Sequence, residues 1–360
     1  MKKKGMVKVL SILMAGVILV GCGGAGNSGQ STATPGGQTS AETPASEVGG
    51  GAVKTIQLGH VNPSTDEDNL QHACLTFADK LSELSGGTIE VKVVGDSQLG
   101  TDREMIEGLQ MGTVDMVLCM NSSLGAFVKD FQVFDLPFLF QNRDQVYGVL
   151  GDETIVGPLK EKLFNEAGIK MLGYLDNGFR NCLNNIKPIN SVEDLSGMKI
   201  RLAENAIWSD CFKAYGSSPT AMAFSEVYTA CQQGTIDGFE LPIASTYSGQ
   251  YWEVIDYYSL TGHLFTALNL CVSGQTWDTF TAEEQAWMQE AADFAIEENH
   301  RYIQAKEDEW LNGIKEHMEV NDCADKSGFI TESQKIYEDY KDEIGEELLK
   351  QVMDAVAAIK

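Results

Sequence analysis

Five arginines stand against 21 lysines in this chain: Arg103, Arg143, Arg180, Arg201 and Arg301. A guanidinium presents a planar fork that meets a carboxylate through two parallel charge-assisted hydrogen bonds, which a lysine cannot do. Arg201 follows Met198–Ile200, which reads as a strand, so it stands at a strand's carboxyl end, where open α/β sheets place ligands. The chemistry this suggests is capture of an anion. Covalent or metal chemistry finds little support, because the chain has no G-x-S-x-G, no H-E-x-x-H and no C-x-x-C, and its five histidines are scattered. Gly24–Gly29 satisfies G-x-G-x-x-G, yet no strand precedes it and no helix follows, so it is not a nucleotide site. Neither a metal nor a cofactor is expected.

Charge sharpens the same point. Acidic residues number 52 against 26 basic ones, a net charge of −26. Such a surface disfavours nucleic acid and anionic lipid. The positive charge that meets an anionic ligand must therefore come from a few placed residues.

The elements that position them form an α/β pattern. Thr55–His60 alternates as a strand, Leu70, Cys74, Phe77, Leu81 and Leu84 recur at helical spacing, and Thr88–Val94 alternates again. Thr101-x-x-Glu104 opens a helix that ends at Gly112, and Val114–Cys119 is an apolar strand. Further strands fall at Ile169–Leu175, Met198–Leu202 and Leu268–Ser273, with helices at Ile207–Tyr215 and Ser225–Gly234. One helical run extends from Thr281 to about Met318, too long for an ordinary single-domain helix, and two more helices follow near Glu332–Asp342 and Glu346–Ile359. Strands alternating with helices predict parallel sheets covered by helices, in two units with a ligand cleft between them.

The N-terminus reads as an export signal. Lys2, Lys3, Lys4 and Lys8 precede an apolar run, Val9–Val20, that falls short of the ~20 residues a bilayer span needs. It closes on Leu19-Val20-Gly21-Cys22, similar to the bacterial lipobox, which predicts a signal over 1–21 and lipidation of Cys22. Losing the four lysines takes the net charge from −26 to −30. Residues 22–53 are rich in Gly, Ser, Thr, Ala and Pro and read as a flexible tether. Of the other seven cysteines, Cys74, Cys119, Cys211, Cys231 and Cys271 sit in apolar patterns and read as small buried hydrophobes, with some pairing left open.

Between Asp176 and Pro242 the sequence becomes specific. Asn177-Gly-Phe-Arg180-Asn181, the stretch Lys187–Arg201 and the stretch Pro219–Glu240 resemble the substrate-binding proteins of TRAP transporters, tripartite ATP-independent importers of organic acids. Gln98–Glu104 and Phe134–Phe140 match the same family upstream, and the similarity runs from about Thr55 to Met318. The resemblance implies a two-lobed periplasmic-binding-protein-like (type II) fold with crossing strands, a cleft between lobes and a long bridging helix. On that basis lobe I is expected over 54–177 plus about 267–305, and lobe II over 178–266 plus about 306–360.

The resemblance also assigns roles. Arg201 matches the arginine that clamps a substrate carboxylate, and Arg180 matches a second arginine, with a lobe-contact salt bridge as its other reading. Phe224 would line the cleft or simply join the core. Asn177 and Glu240 fall inside the matching motifs. Glu204 and Asn205 follow Arg201 closely enough to reach a ligand hydroxyl, or to cap the next helix. Glu104, with His60, would accept ligand hydroxyls, unless Glu104 serves only its capping box; Asn121 is a neutral candidate beside them. Where many relatives carry Gln and Asn, this chain has Phe239 and Leu241, which removes a hydrogen-bond donor and leaves that wall more apolar.

The function expected is therefore an exported, lipid-anchored solute receptor, not an enzyme, that captures a sugar acid such as a uronate or aldonate and delivers it to membrane permease subunits. An enzyme acting on acidic sugars and a sensor presenting its ligand to a membrane receptor are the alternatives.

Overall fold

The computed structural model describes residues 53–359. The signal, Cys22 and almost all of the tether lie outside them. β1 (Lys54–Gly59) and β2 (Ile89–Val94) pair in parallel, joined by α1 (Asn69–Leu84). Asp68 caps α1 by accepting from the Leu70 and Gln71 amides, and the helix buries Leu70, Cys74, Phe77 and Leu81 as their spacing predicts. α2 (Asp102–Met111) starts on the Thr101/Glu104 capping box and stops at Gly112, whose φ of 70° is a left-handed turn that glycine adopts without strain. β3 (Met116–Met120) then pairs with β1, and α3 (Asn121–Leu124), α4 (Arg143–Leu150) and α5 (Glu153–Ala167) follow.

β4 (Ile169–Asn184) runs on nine residues beyond the strand its hydrophobic pattern predicts. After it come β5 (Lys199–Leu202), α6 (Ala206–Ala214), β6 (Ser218–Ala221), α7 (Val227–Gln233), β7 (Gly238–Pro242) and α8 (Ile243–Ser248). β8 (Tyr257–Ser273), at 17 residues, lies antiparallel to β4 along almost its whole length. The sheet order is β2-β1-β3-β8-β4-β7-β5-β6. β4 and β8 therefore serve both halves: Ile169–Asp176 of β4 lies opposite Ala267–Ser273, toward β3, and Arg180–Asn184 lies beside β7. Three register shifts bend the pair, one of them between Asp176 and Gly178, where Gly178 takes a φ of 110°.

α9 (Gly274–Trp277) precedes α10 (Ala282–Lys315), whose 34 residues rise about 51 Å at 1.5 Å each. α10 packs on α1 and β4 and also on α8 and β9 (Glu319–Asp322), so it spans both halves of the sheet. α11 (Ser327–Ile344) and α12 (Glu346–Ala358) complete the chain. The two halves of the sheet are thus bridged by one long helix. All seven described cysteines are buried and free, the five expected ones among them. No helix among the described residues is long and apolar enough to cross a membrane.

Candidate ligand cleft

A cleft opens at the carboxyl end of β5. Val61, Asp102, Met120, Arg201 and Phe224 line both its mouth and its inner recess, and Asn62, Asn177, Arg180, Leu241 and Ser245 line the recess alone. Residues from both halves of the sheet thus face one space.

Arg201 sits on β5 opposite Thr220 of β6 and Phe239 of β7, only 2 % exposed. Its Nε and one Nη donate to the main-chain carbonyl of Met222, which carries no net charge. No carboxylate among the described residues forms an ion pair with it. Burial pushes its pKa down to about 10, against the upward pull of Glu240. A buried guanidinium with a free edge and no counter-ion is a ready site for a carboxylate.

Arg180 is equally buried but already matched. It grips both carboxylate oxygens of Glu240, donates to the Glu240 carbonyl at 2.7 Å and to Thr266 Oγ1 at 3.1 Å, and lies 5.0 Å from the Trp208 ring centre. Arg180 reaches the recess with its charge neutralised. Glu240 is not among the residues lining the cleft; it is the counter-ion of Arg180 and faces His263, 3.8 Å away.

Asp102 is the cleft-lining residue the sequence conceals. It occupies the first position of α2 and lines both mouth and recess. Although the residue keeps some surface, its Oδ1 is buried and has no hydrogen-bond partner. Burial raises its pKa to about 7, with Arg201 pulling the other way. A signal for it does exist. Thr101 and Glu104 satisfy the cap between them, so the cap does not call on Asp102.

The other candidates divide. Phe224 lines the cleft, held edge-on to Tyr251 at 6.4 Å. Asn177 faces the recess beside Ser245, and exposed Glu204 stands at the mouth. Glu104 is exposed, closes the capping box with Thr101 and is not among the residues lining the cleft, whereas Asp102 is. His60 lies off the cleft lining with Nε2 on Gln71 at 2.7 Å, and burial lowers its pKa. Asn121 and Asn205 both turn inward to donate to the buried Asp135 carboxylate, at 2.9 and 3.0 Å, and Asn205 also caps α6 through the Trp208 amide. Leu241 does make one wall apolar, whereas Phe239 points into the core against Tyr251 and touches no ligand space.

Residues 58–343 match the model of bacterial extracellular solute-binding protein, family 7. The chain belongs to that family. It is a TRAP solute-binding protein, of a class that is extracytoplasmic, takes small organic acids and works with membrane permease subunits. The 2,3-diketo-L-gulonate-binding periplasmic protein YiaO of Escherichia coli is 30 % identical over 279 residues, 77 % of this chain and 84 % of the relative. The sugar acid binding protein of Advenella mimigardefordensis, solved with galactonate, superposes with a TM-score of 0.82 at 28 % identity, covering 86 % of this chain and 99 % of that one. The TRAP protein of Sulfurospirillum deleyianum, solved with succinate, gives 0.79 at 30 % identity, covering 86 % and 100 %.

Proposed function

We propose that this chain captures a sugar acid of the aldonate or uronate type in the cleft and delivers it, chemically unaltered, to the membrane subunits of a TRAP transporter. The carrying observation is Arg201, a buried guanidinium with a free edge and no counter-ion. Asp102, Asn177 and Glu204 offer polar groups for hydroxyls, while Phe224, Met120 and Leu241 offer faces for the carbon skeleton. Solved relatives carry galactonate and, in another case, D-glucuronate.

Lobes of 54–177 plus about 267–305, and 178–266 plus about 306–360, would close on the ligand about the point where β4 and β8 pass from one half of the sheet to the other. A ligand touching both lobes favours the closed state over the open one. Lipidation of Cys22 would hold the receptor beside its permease.

A thermal-shift panel of aldonates, uronates, keto acids and dicarboxylates tests the reading, because any ligand of the folded state raises stability. Aldonates or uronates should raise the midpoint of wild type and not of Arg201→Ala, and mass spectrometry should recover them unchanged. No response to any acid, with Arg201→Ala indistinguishable from wild type, would end the proposal. For the anchor, Cys22→Ser should move the protein from the membrane fraction to the soluble one.

A further inference from the structure

We infer that the cleft is selective for acids with a single carboxylate, and that Asp102 is the residue that turns a second carboxylate away. This deepens the sugar-acid reading above and rests on it. Family membership does not decide the matter, since one relative was solved with galactonate and another with succinate. The groups facing the recess do.

Arg201 is the one buried cation there without a carboxylate partner among the described residues. Arg180 brings no net charge, because Glu240 already holds it. Arg103 reaches only the mouth, with its side chain 62 % exposed and its Nε on Glu107. Asp102 supplies the opposite sign at the same recess, its Oδ1 buried and unpartnered. A carboxylate seated on Arg201 uses up the available positive charge. A second one would find Asp102 and the apolar walls of Val61, Met120 and Leu241, with no cation to receive it. Two carboxylates in a poorly hydrated space repel, whereas a hydroxyl donates to the orphan Oδ1 and satisfies it. Specificity then comes from the repulsive contact as much as from the attractive one.

Matched acids that differ only at one end make the test: erythronate against tartrate, gluconate against glucarate, and galactonate against galactarate, titrated calorimetrically into the mature protein at pH 8, where Asp102 is ionised. Wild type should prefer the monocarboxylate of whichever pair it binds by about a hundredfold or more. Asp102→Asn keeps the size of the side chain and removes the charge. It should narrow that preference by about tenfold or more, with Asp102→Ser giving the same direction if Asn disturbs the start of α2. Equal binding of both members by wild type, within about threefold, overturns the inference while leaving the sugar-acid reading intact; so does an unchanged ratio in both variants. Binding of no member of any pair removes this inference together with the reading beneath it.

Discussion

Arg180 spends three donor contacts on Glu240, two on its carboxylate and one on its carbonyl, while Arg201 beside it has only the carbonyl of Met222. The two arginines that the family motifs single out are thus different devices. One is a fixed, neutral strut between β4 and β7, and the other is a charge left waiting.

The strut should be costly to break from one side. Glu240→Ala leaves the Arg180 charge buried and unpaired, and such losses run to ~3–5 kcal/mol. Urea denaturation of the unliganded protein measures it. A loss below about 1 kcal/mol would mean that Arg180 finds another partner or water.

Arg201 predicts the opposite trade. Its pKa is pushed down to about 10, so the folded state carries its charge at a penalty, first of all from burial. Arg201→Met should leave the unliganded midpoint unchanged or raise it, by about 1 kcal/mol or more, while abolishing the ligand-induced shift. A variant that is both destabilised and still responsive would show that the guanidinium is structural.

Asp102 adds a dependence on pH. Its folded pKa, about 7, lies above the ordinary carboxylate value of 3.8, so the folded state binds the proton more tightly than the unfolded one. Its contribution is fully present below about pH 4 and is lost as pH rises through 7, at up to about 1.4 kcal/mol for each pH unit between. Between pH 5 and 8, Asp102→Asn should therefore show a flatter fall in unliganded stability than wild type. Asp135, also raised to about 7 by burial, will keep some slope in the variant. Parallel stability curves would count against a buried, titrating Asp102.

Much of this was open to reading in the sequence, for identifiable reasons. Arg201 is legible because a scarce residue type coincides with the end of a strand. The helices whose capping boxes are written into the chain, at Thr101 and Thr281, begin where those caps fall. The second half of β4 is not legible: Asp176-Asn-Gly-Phe-Arg180-Asn181 is polar and broken by Gly178, and it reads as a loop. Those side chains are buried against the recess, Glu240 and α10 instead of an apolar core, so hydrophobic alternation never marks them. α4 is short and buries only Val146, Val149 and Leu150, too weak a stripe to stand out. Asp102 escapes because the adjoining capping box accounts so well for its neighbours.

The same stretch of β4 carries the last prediction. Asp176 stands where the strand passes between the halves of the sheet, and Arg143 donates to its Oδ2 at 2.7 Å, with Tyr147 at 2.6 Å. The other edge of Arg143 holds Glu307 of α10 through two bonds of 2.7 Å. The Asp176 amide donates to Asn299 Oδ1, and its carbonyl accepts from Asn69, so α1, α4 and α10 meet on one residue. Arg143→Ala strips a buried carboxylate of its cation and should cost ~3 kcal/mol, the lower end for such pairs because Arg143 keeps 18 % of its side-chain surface. If the charge pair is the cause, Arg143→Ala with Asp176→Asn will cost less than the sum of the single changes. Strict additivity in urea denaturation would instead place the cost in lost packing around α4.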